Sequence, residues 1–238
     1  MGLAALLYGC ASGTPNAEQV DASNTDAKNP DPVADARPDS TTAMPDGPLP
    51  PDACVPMAIE KLANPVFDLT PNGMGWVDGR DPATNLLSGG PFPIISANPT
   101  GVTPHSAPNK AWFGGASGSD VTPAKASLTD TLHQDFAIPA GATNVVVSGY
   151  YLVGTNDVTT SVFDTFSIDL VQTNGTLIEN VLTLSNMTSA STFTAFSKNI
   201  TANVAGQTIR LRALSINDDI LHTNFFLDSL SVKATHCP

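Results

Sequence analysis

The 238-residue sequence predicts an all-β domain, two antiparallel sheets packed as a β-sandwich, behind a disordered N-terminal tether. Three observations carry that prediction. From about residue 126 onward apolar and polar residues alternate with period two in short runs. Strand side chains point to opposite faces in turn, so such runs read as half-buried strands. The runs are separated by clusters of Gly, Pro, Asn, Asp and Ser, the residues that turns require. No window of a dozen residues repeats its apolar positions at helical spacing, and 56–62 is the one local helix candidate. A closed barrel is the competing architecture.

The first run, 126–138, ends at the turn Pro139-Ala140-Gly141-Ala142. In the next, 143–153, Val145, Val147, Gly149 and Tyr151 share one face and Val146, Ser148 and Tyr150 the other, before Gly154-Thr155-Asn156-Asp157 closes it. Residues 163–171 alternate Phe163, Thr165, Ser167, Asp169 and Val171 against Asp164, Phe166, Ile168 and Leu170. Asn174-Gly175 is the strongest short hairpin signal in the chain, with 176–184 as the returning strand. The remaining runs are 192–200, 207–216 and 223–234. Taken as residues 57–238, the domain is large enough to bury roughly 70% of its unfolded surface and to stand without a metal.

Residues 11–56 differ sharply in composition. They contain no Phe, Trp or Tyr, and between Ala11 and Cys54 eight acidic residues face only Lys28 and Arg37, with eight prolines in the same stretch. So few apolar side chains cannot offset the entropy of ordering the segment, and a Pro-rich, self-repelling chain stays extended. The whole sequence carries a formal charge of −12, which excludes nucleic acid as a partner, since phosphate recognition needs clustered Lys and Arg. No apolar run reaches the roughly 18–20 residues of a membrane-spanning helix.

The apolar residues 2–8 end in Leu7-Tyr8-Gly9-Cys10, which resembles the bacterial lipobox. The resemblance implies lipidation at Cys10 and an exported protein anchored in the cell envelope, at the outer membrane or cell surface, with residues 1–10 as its signal. No Lys or Arg precedes Cys10, which places Met1 inside a longer signal. With Cys10 lipidated, Cys54 and Cys237 remain as an even pair at the two ends of the folded region. A disulfide between them requires those ends to be neighbours. Two free thiols or an intermolecular bond are the competing arrangements.

Asn64-Pro65-Val66-Phe67-Asp68 with Asn72-Gly73-Met74-Gly75-Trp76 resembles the opening of galactose-binding-like jelly-roll domains, including carbohydrate-binding modules. Ala111-Trp112-Phe113-Gly114-Gly115, Leu132-His133-Gln134, 205–211 and 225–232 are similar to later elements of such domains, in the same order along the chain. The resemblance implies a jelly roll and a structural calcium held by Asp68 and Asp228, although Ser229 stands where many relatives carry a second acidic residue. It also implies a carbohydrate or envelope polymer as partner. Sugar recognition needs aromatic faces flanked by polar groups. Tyr150 and Tyr151, with Asn156 and Asp157 in one loop and Asp218 and Asp219 in another, are the candidate ligand-binding residues.

Catalytic signatures are missing. His105, His133, His222 and His236 lack metal-ligand spacing, there is no G-x-S-x-G elbow, and the run 114–118 lacks the Lys of a phosphate loop. The expectation is a non-catalytic, surface-anchored glycan binder. A structural or protein-interaction module of the envelope is the alternative, and a secreted hydrolase comes third.

Overall fold

The alternating runs of the sequence all become strands. The computed structural model describes residues 54–81, 93–97, 101–114, 127–157, 159–221 and 223–237. Cys10, the signal 1–10, the tether up to residue 53, residues 115–118 and His222 lie outside the described residues. The strands are β1 (Met57–Glu60), β2 (Val77–Asp81), β3 (Ile95–Ser96), β4 (Lys110–Phe113), β5 (Leu128–Ala137), β6 (Asn144–Thr155), β7 (Thr165–Gln172), β8 (Leu177–Ser185), β9 (Ala190–Asn199), β10 (Thr208–Asn217) and β11 (Thr223–His236).

The first sheet has the order β3-β4-β11-β6-β9, with β1 also pairing β11, and the second has the order β2-β5-β10-β7-β8. All pairings are antiparallel. From β4 to β11 the chain crosses between sheets at every step except the β7–β8 hairpin. That is the winding of a jelly roll, two sheets and not a closed barrel. The Asn174-Gly175 turn makes the hairpin as expected: Gly175 sits at φ 91°, and the Thr176 N–H donates to Asn174 Oδ1 at 2.9 Å.

Alternation sets the core. On β6 the inward residues are Val145, Val147, Gly149, Tyr151 and Val153; on β10 they are Ile209, Leu211 and Ala213. Phe166 of β7 ties the sheets together, its ring 5.1 Å from Phe113 of β4 and 5.2 Å from Phe225 of β11. Each such side chain contributes about 1.5–3 kcal/mol on burial. Gly149 leaves room for its neighbours, since a Cβ there would meet Leu230 Cδ2 at 2.7 Å and the Phe196 ring at 3.0 Å, and those side chains would have to shift.

The helix expected over 56–62 does not form. Residues 57–60 are β1, in register Met57↔His236 through Glu60↔Lys233. A helix of one or two turns gains too few hydrogen bonds to offset nucleation, whereas the edge of β11 offers a ready ladder. Glu60 fixes the strand end, accepting from the N–H groups of Lys61, Leu62 and Val232 at 2.9 Å each and from Ser231 Oγ at 2.5 Å. The pairing brings the two ends of the domain together, and Cys54 and Cys237 form the disulfide with Cα atoms 5.7 Å apart.

The 64–76 segment is a hydrogen-bonded corner. Buried Asn64 accepts from Trp76 Nε1 at 2.8 Å through its carbonyl and donates its amide to Met74 O at 3.0 Å. Gln134 of β5 clasps both arms, accepting from Ala63 N at 2.6 Å and donating to Gly75 O at 2.5 Å. The corner presents Asp68 toward the first sheet's outer face.

Candidate functional site

Along most strands the outward residues are polar. The first sheet breaks that rule at one end. Trp112 of β4, Leu152 of β6 and Phe226 of β11 all point outward, yet they are buried. Trp112 and Phe226 stack at 6.3 Å, with Trp112 Nε1 donating to Asn224 Oδ1 at 2.7 Å. Residues 101–109 lie over this cluster, and Val102 and Phe193 pack against it. Beside that cover remains an open groove of about 460 Å³, lined by Gly101, Val102, Thr103, Leu152, Ser191 and Phe193 among others. Its exposed lining is mainly apolar, and Thr103, Ser191 and Thr192 are its polar lining residues.

Three rings lead to the groove. His105 stacks on Tyr150 with centroids 3.6 Å apart and planes at 21°, and Phe193 meets His105 edge-on at 6.0 Å. His105 is pinned on its other side, Nδ1 lying 2.9 Å from Ser229 Oγ. Of the two tyrosines only Tyr150 faces outward, with one ring face taken by His105. Tyr151 turns inward against Phe196 at 6.4 Å.

The remaining expected ligand residues gather at the end of the sandwich. Asn156 is exposed, whereas Asp157 is buried and accepts from Asn186 Nδ2 at 3.0 Å. Asn186 Oδ1 accepts from the Asp164 N–H at 3.4 Å, and Asp164 Oδ1 accepts from the Asp218 N–H at 2.9 Å. Asp157 and Asp218 therefore belong to one bonded network. Asp218 caps Ile220 N at 2.9 Å, and Asp219 faces solvent.

Asp68 and Asp228 converge as the jelly-roll resemblance implies, both on Ser106. The Ser106 N–H donates to Asp228 Oδ2 at 2.9 Å and its hydroxyl to Asp68 Oδ2 at 3.5 Å. Asp68 Oδ1 accepts from Asn109 N at 3.3 Å, and Asp228 Oδ1 from Ser229 N at 2.6 Å. All four carboxylate oxygens are thus engaged by protein donors. Calcium takes about 6–8 oxygen ligands, and among the described residues no group of three or more His, Cys, Asp or Glu side chains gathers. Near Asp228 lies the buried Lys110, whose ammonium is over the Phe226 ring at 5.9 Å. Burial holds the Lys110 ammonium below its usual value, and the charge of Asp228 pulls it back up. Burial likewise pushes the Asp228 carboxyl up, against the N–H groups of Ser106, Ser229 and His105. The two carboxylates by themselves fall short of the oxygens that calcium takes.

His105 Nδ1 and Ser229 Oγ are hydrogen-bonded, but Asp228 Oδ1 accepts from the Ser229 hydroxyl at 3.4 Å and not from the imidazole, which is not the order of a Ser–His–Asp triad. Sequence reading missed Phe193, Val102 and Lys110 as site residues. A signal was available in Ala111-Trp112-Phe113, Leu152-Val153 and Phe225-Phe226-Leu227, where adjacent apolar residues must occupy both faces of a strand.

No protein-family model and no curated protein matches the chain. Solved structures are similar in fold. TmCBM61 in complex with β-1,4-galactotriose is 13% identical, with a TM-score of 0.45 over 73% of this chain and 97% of that one. An apo cyclase from Fischerella sp. is 13% identical, with a TM-score of 0.47 over 76% of this chain and 98% of that one. The Clostridium thermocellum xylanase 10B CBM22-1–GH10 modules, complexed with xylohexaose, are 14% identical with a TM-score of 0.38. That likeness covers 75% of this chain but only 28% of the xylanase chain. At these identities and scores no residue role passes from them to this chain.

Proposed function

We propose that the domain binds neutral carbohydrate without turning it over, in the groove beside Phe193. One observation carries the reading: Phe193 and an aliphatic floor of Val102 and Leu152 line a groove of about 460 Å³ together with the polar residues Thr103, Ser191 and Thr192. A pyranose has apolar C–H faces and a rim of hydroxyls, and this lining offers a partner to each. Among the described residues no charged side chain lines the groove, and the chain's net charge of −12 repels polyanionic glycans. The Tyr150–His105 stack borders the site and fixes the edge against which Phe193 rests.

Titration calorimetry of the full chain against neutral oligosaccharides chosen from a glycan array tests this. Phe193→Ala should weaken binding at least about tenfold, the effect of losing one good aromatic contact, with the melting temperature nearly unchanged. Equal affinity in the variant, or no neutral glycan retained by the wild type, would remove the proposal.

The same reading takes the protein to be exported and lipid-anchored through Cys10, with the acidic segment holding the domain off the membrane. The Cys54–Cys237 disulfide accords with an oxidising compartment. Palmitate labelling in a bacterial host, with an intact secretion signal, should mark the wild type and not Cys10→Ser. Equal labelling of both would discard the anchor.

A further inference from the structure

We propose that Lys110 supplies, from within the chain, the positive charge that Asp228 would otherwise take from a divalent cation, so that residues 101–109 are clamped over the first sheet without metal. Register places the ammonium. β4 and β11 pair Phe225↔Phe113, Phe226↔Trp112 and Leu227↔Ala111, and the next step sets Asp228 beside Lys110. Cross-strand partners share a face, and Trp112 and Phe226 show that this face is the outer one. Lys110 is nonetheless only 1% exposed and Asp228 is fully buried. A charge so deeply placed must be compensated.

The backbone is bent to make this arrangement. Among the described residues Phe67 and Ser229 are the two non-glycine residues with positive φ, at 63° and 49°. One directly precedes Asp68 and the other directly follows Asp228. Such conformations persist only where surrounding contacts hold them. Here the contacts run to a single loop: Asn109 Nδ2 donates to Phe67 O at 3.1 Å, Ser106 reaches both aspartates, and His105 meets Ser229. The same loop carries Gly101, Val102 and Thr103 into the groove wall. A resident ammonium beside Asp228 donates three hydrogen bonds and, unlike calcium, asks for no cage of six oxygens.

The test is the melting temperature of the full chain in excess EDTA and in millimolar CaCl₂, for the wild type, Lys110→Met and Lys110→Arg. The wild type should melt within about 1 °C in the two buffers. Lys110→Met keeps the bulk and loses the charge; it should melt roughly 6 °C lower or more, as expected when one partner of a buried pair is removed. Lys110→Arg should recover part of that loss. The proposal is overturned if calcium raises the wild-type melting temperature by roughly 5 °C or more, the size of a well-filled site, or if Lys110→Met melts with the wild type. Should Lys110→Met fail to fold, the wild-type comparison still decides, since a metal-held loop must respond to chelation. No carbohydrate enters the measurement, so its outcome is separate from that of the binding proposal.

Discussion

The outer faces of the two sheets are built on the same alternation and end differently. On the second sheet the outward residues complete one another across strands. Arg210 of β10 pairs with Asp135, its register partner on β5, at 2.6 and 3.0 Å. Arg212 pairs with Asp169, its partner on β7, at 3.1 Å. Asp169 also accepts from Ser167 Oγ and Asn180 Nδ2, each at 2.9 Å. That face is held largely by its own neighbours, with Arg212 Nε buried and without a hydrogen-bond partner among the described residues. On the first sheet the outward positions hold Trp112, Leu152 and Phe226, which nothing polar can satisfy and which a folded chain must cover. Residues 101–109 cover part of the area, and what they leave open is the groove. A sandwich face that departs from alternation thus has two consequences at once, a loop bound over it and a recess beside it.

The sharpest way to test the contrast is at the covered end. Trp112→Ala deletes an indole that is 2% exposed, stacked on Phe226 and bonded to Asn224. Urea unfolding should show a loss of about 3–5 kcal/mol, the range for truncating a buried Trp, together with loss of glycan retention as the floor of the groove collapses. A loss below about 1 kcal/mol would mean that the loop is an ornament over a solvated surface, and the contrast between faces would fail.

That contrast also shows how far sequence reasoning reaches. The runs from 126 onward predict seven strands because each buries one face in the common core and leaves the other polar, the condition under which period two is visible. β2 and β3 escape because two to five residues hold too little pattern, and β1 because its spacing over 56–62 mimics a helical turn until β11 is present to pair it. The disulfide was legible from the even pair of cysteines left at the two ends of the domain, whereas the meeting of Asp68 with Asp228 came only from the resemblance to jelly-roll domains. Tyr151 was indistinguishable from Tyr150 in composition, and only the registers β6–β11 and β6–β9 decide which of them faces out. Phe193 and Lys110 were hidden for a different reason. Their roles depend on a loop remote in sequence, so no local spacing records them.

The smallest effect belongs to the face that needs no cover. Asp135 and Arg210 form a well-aligned ion pair, but the side chain of Asp135 is 40% exposed, so solvent screens it. The Arg210 hydrogen bond nonetheless holds the Asp135 carboxyl below its usual value of about 3.8. A carboxylate with a depressed folded pKa contributes stability that is complete above the unfolded value and is withdrawn as pH falls through the folded one. His133 sits on the same face, held below its usual 6.5 by burial and then by Arg210, with Asp135 opposing. The native state therefore favours the neutral imidazole, so that contribution is complete above about pH 6.5 and is lost on acidification below it. Asp135→Asn should lower stability at neutral pH by only about 0.2–1 kcal/mol, and 1 M salt, where the Debye length is about 3 Å, should erase the difference. The difference should also vanish once acid has protonated Asp135 in the folded wild type. A loss of more than about 2 kcal/mol that survives high salt would show that the second sheet's outer face is held by desolvated charges, and the two faces would then differ in degree and not in kind.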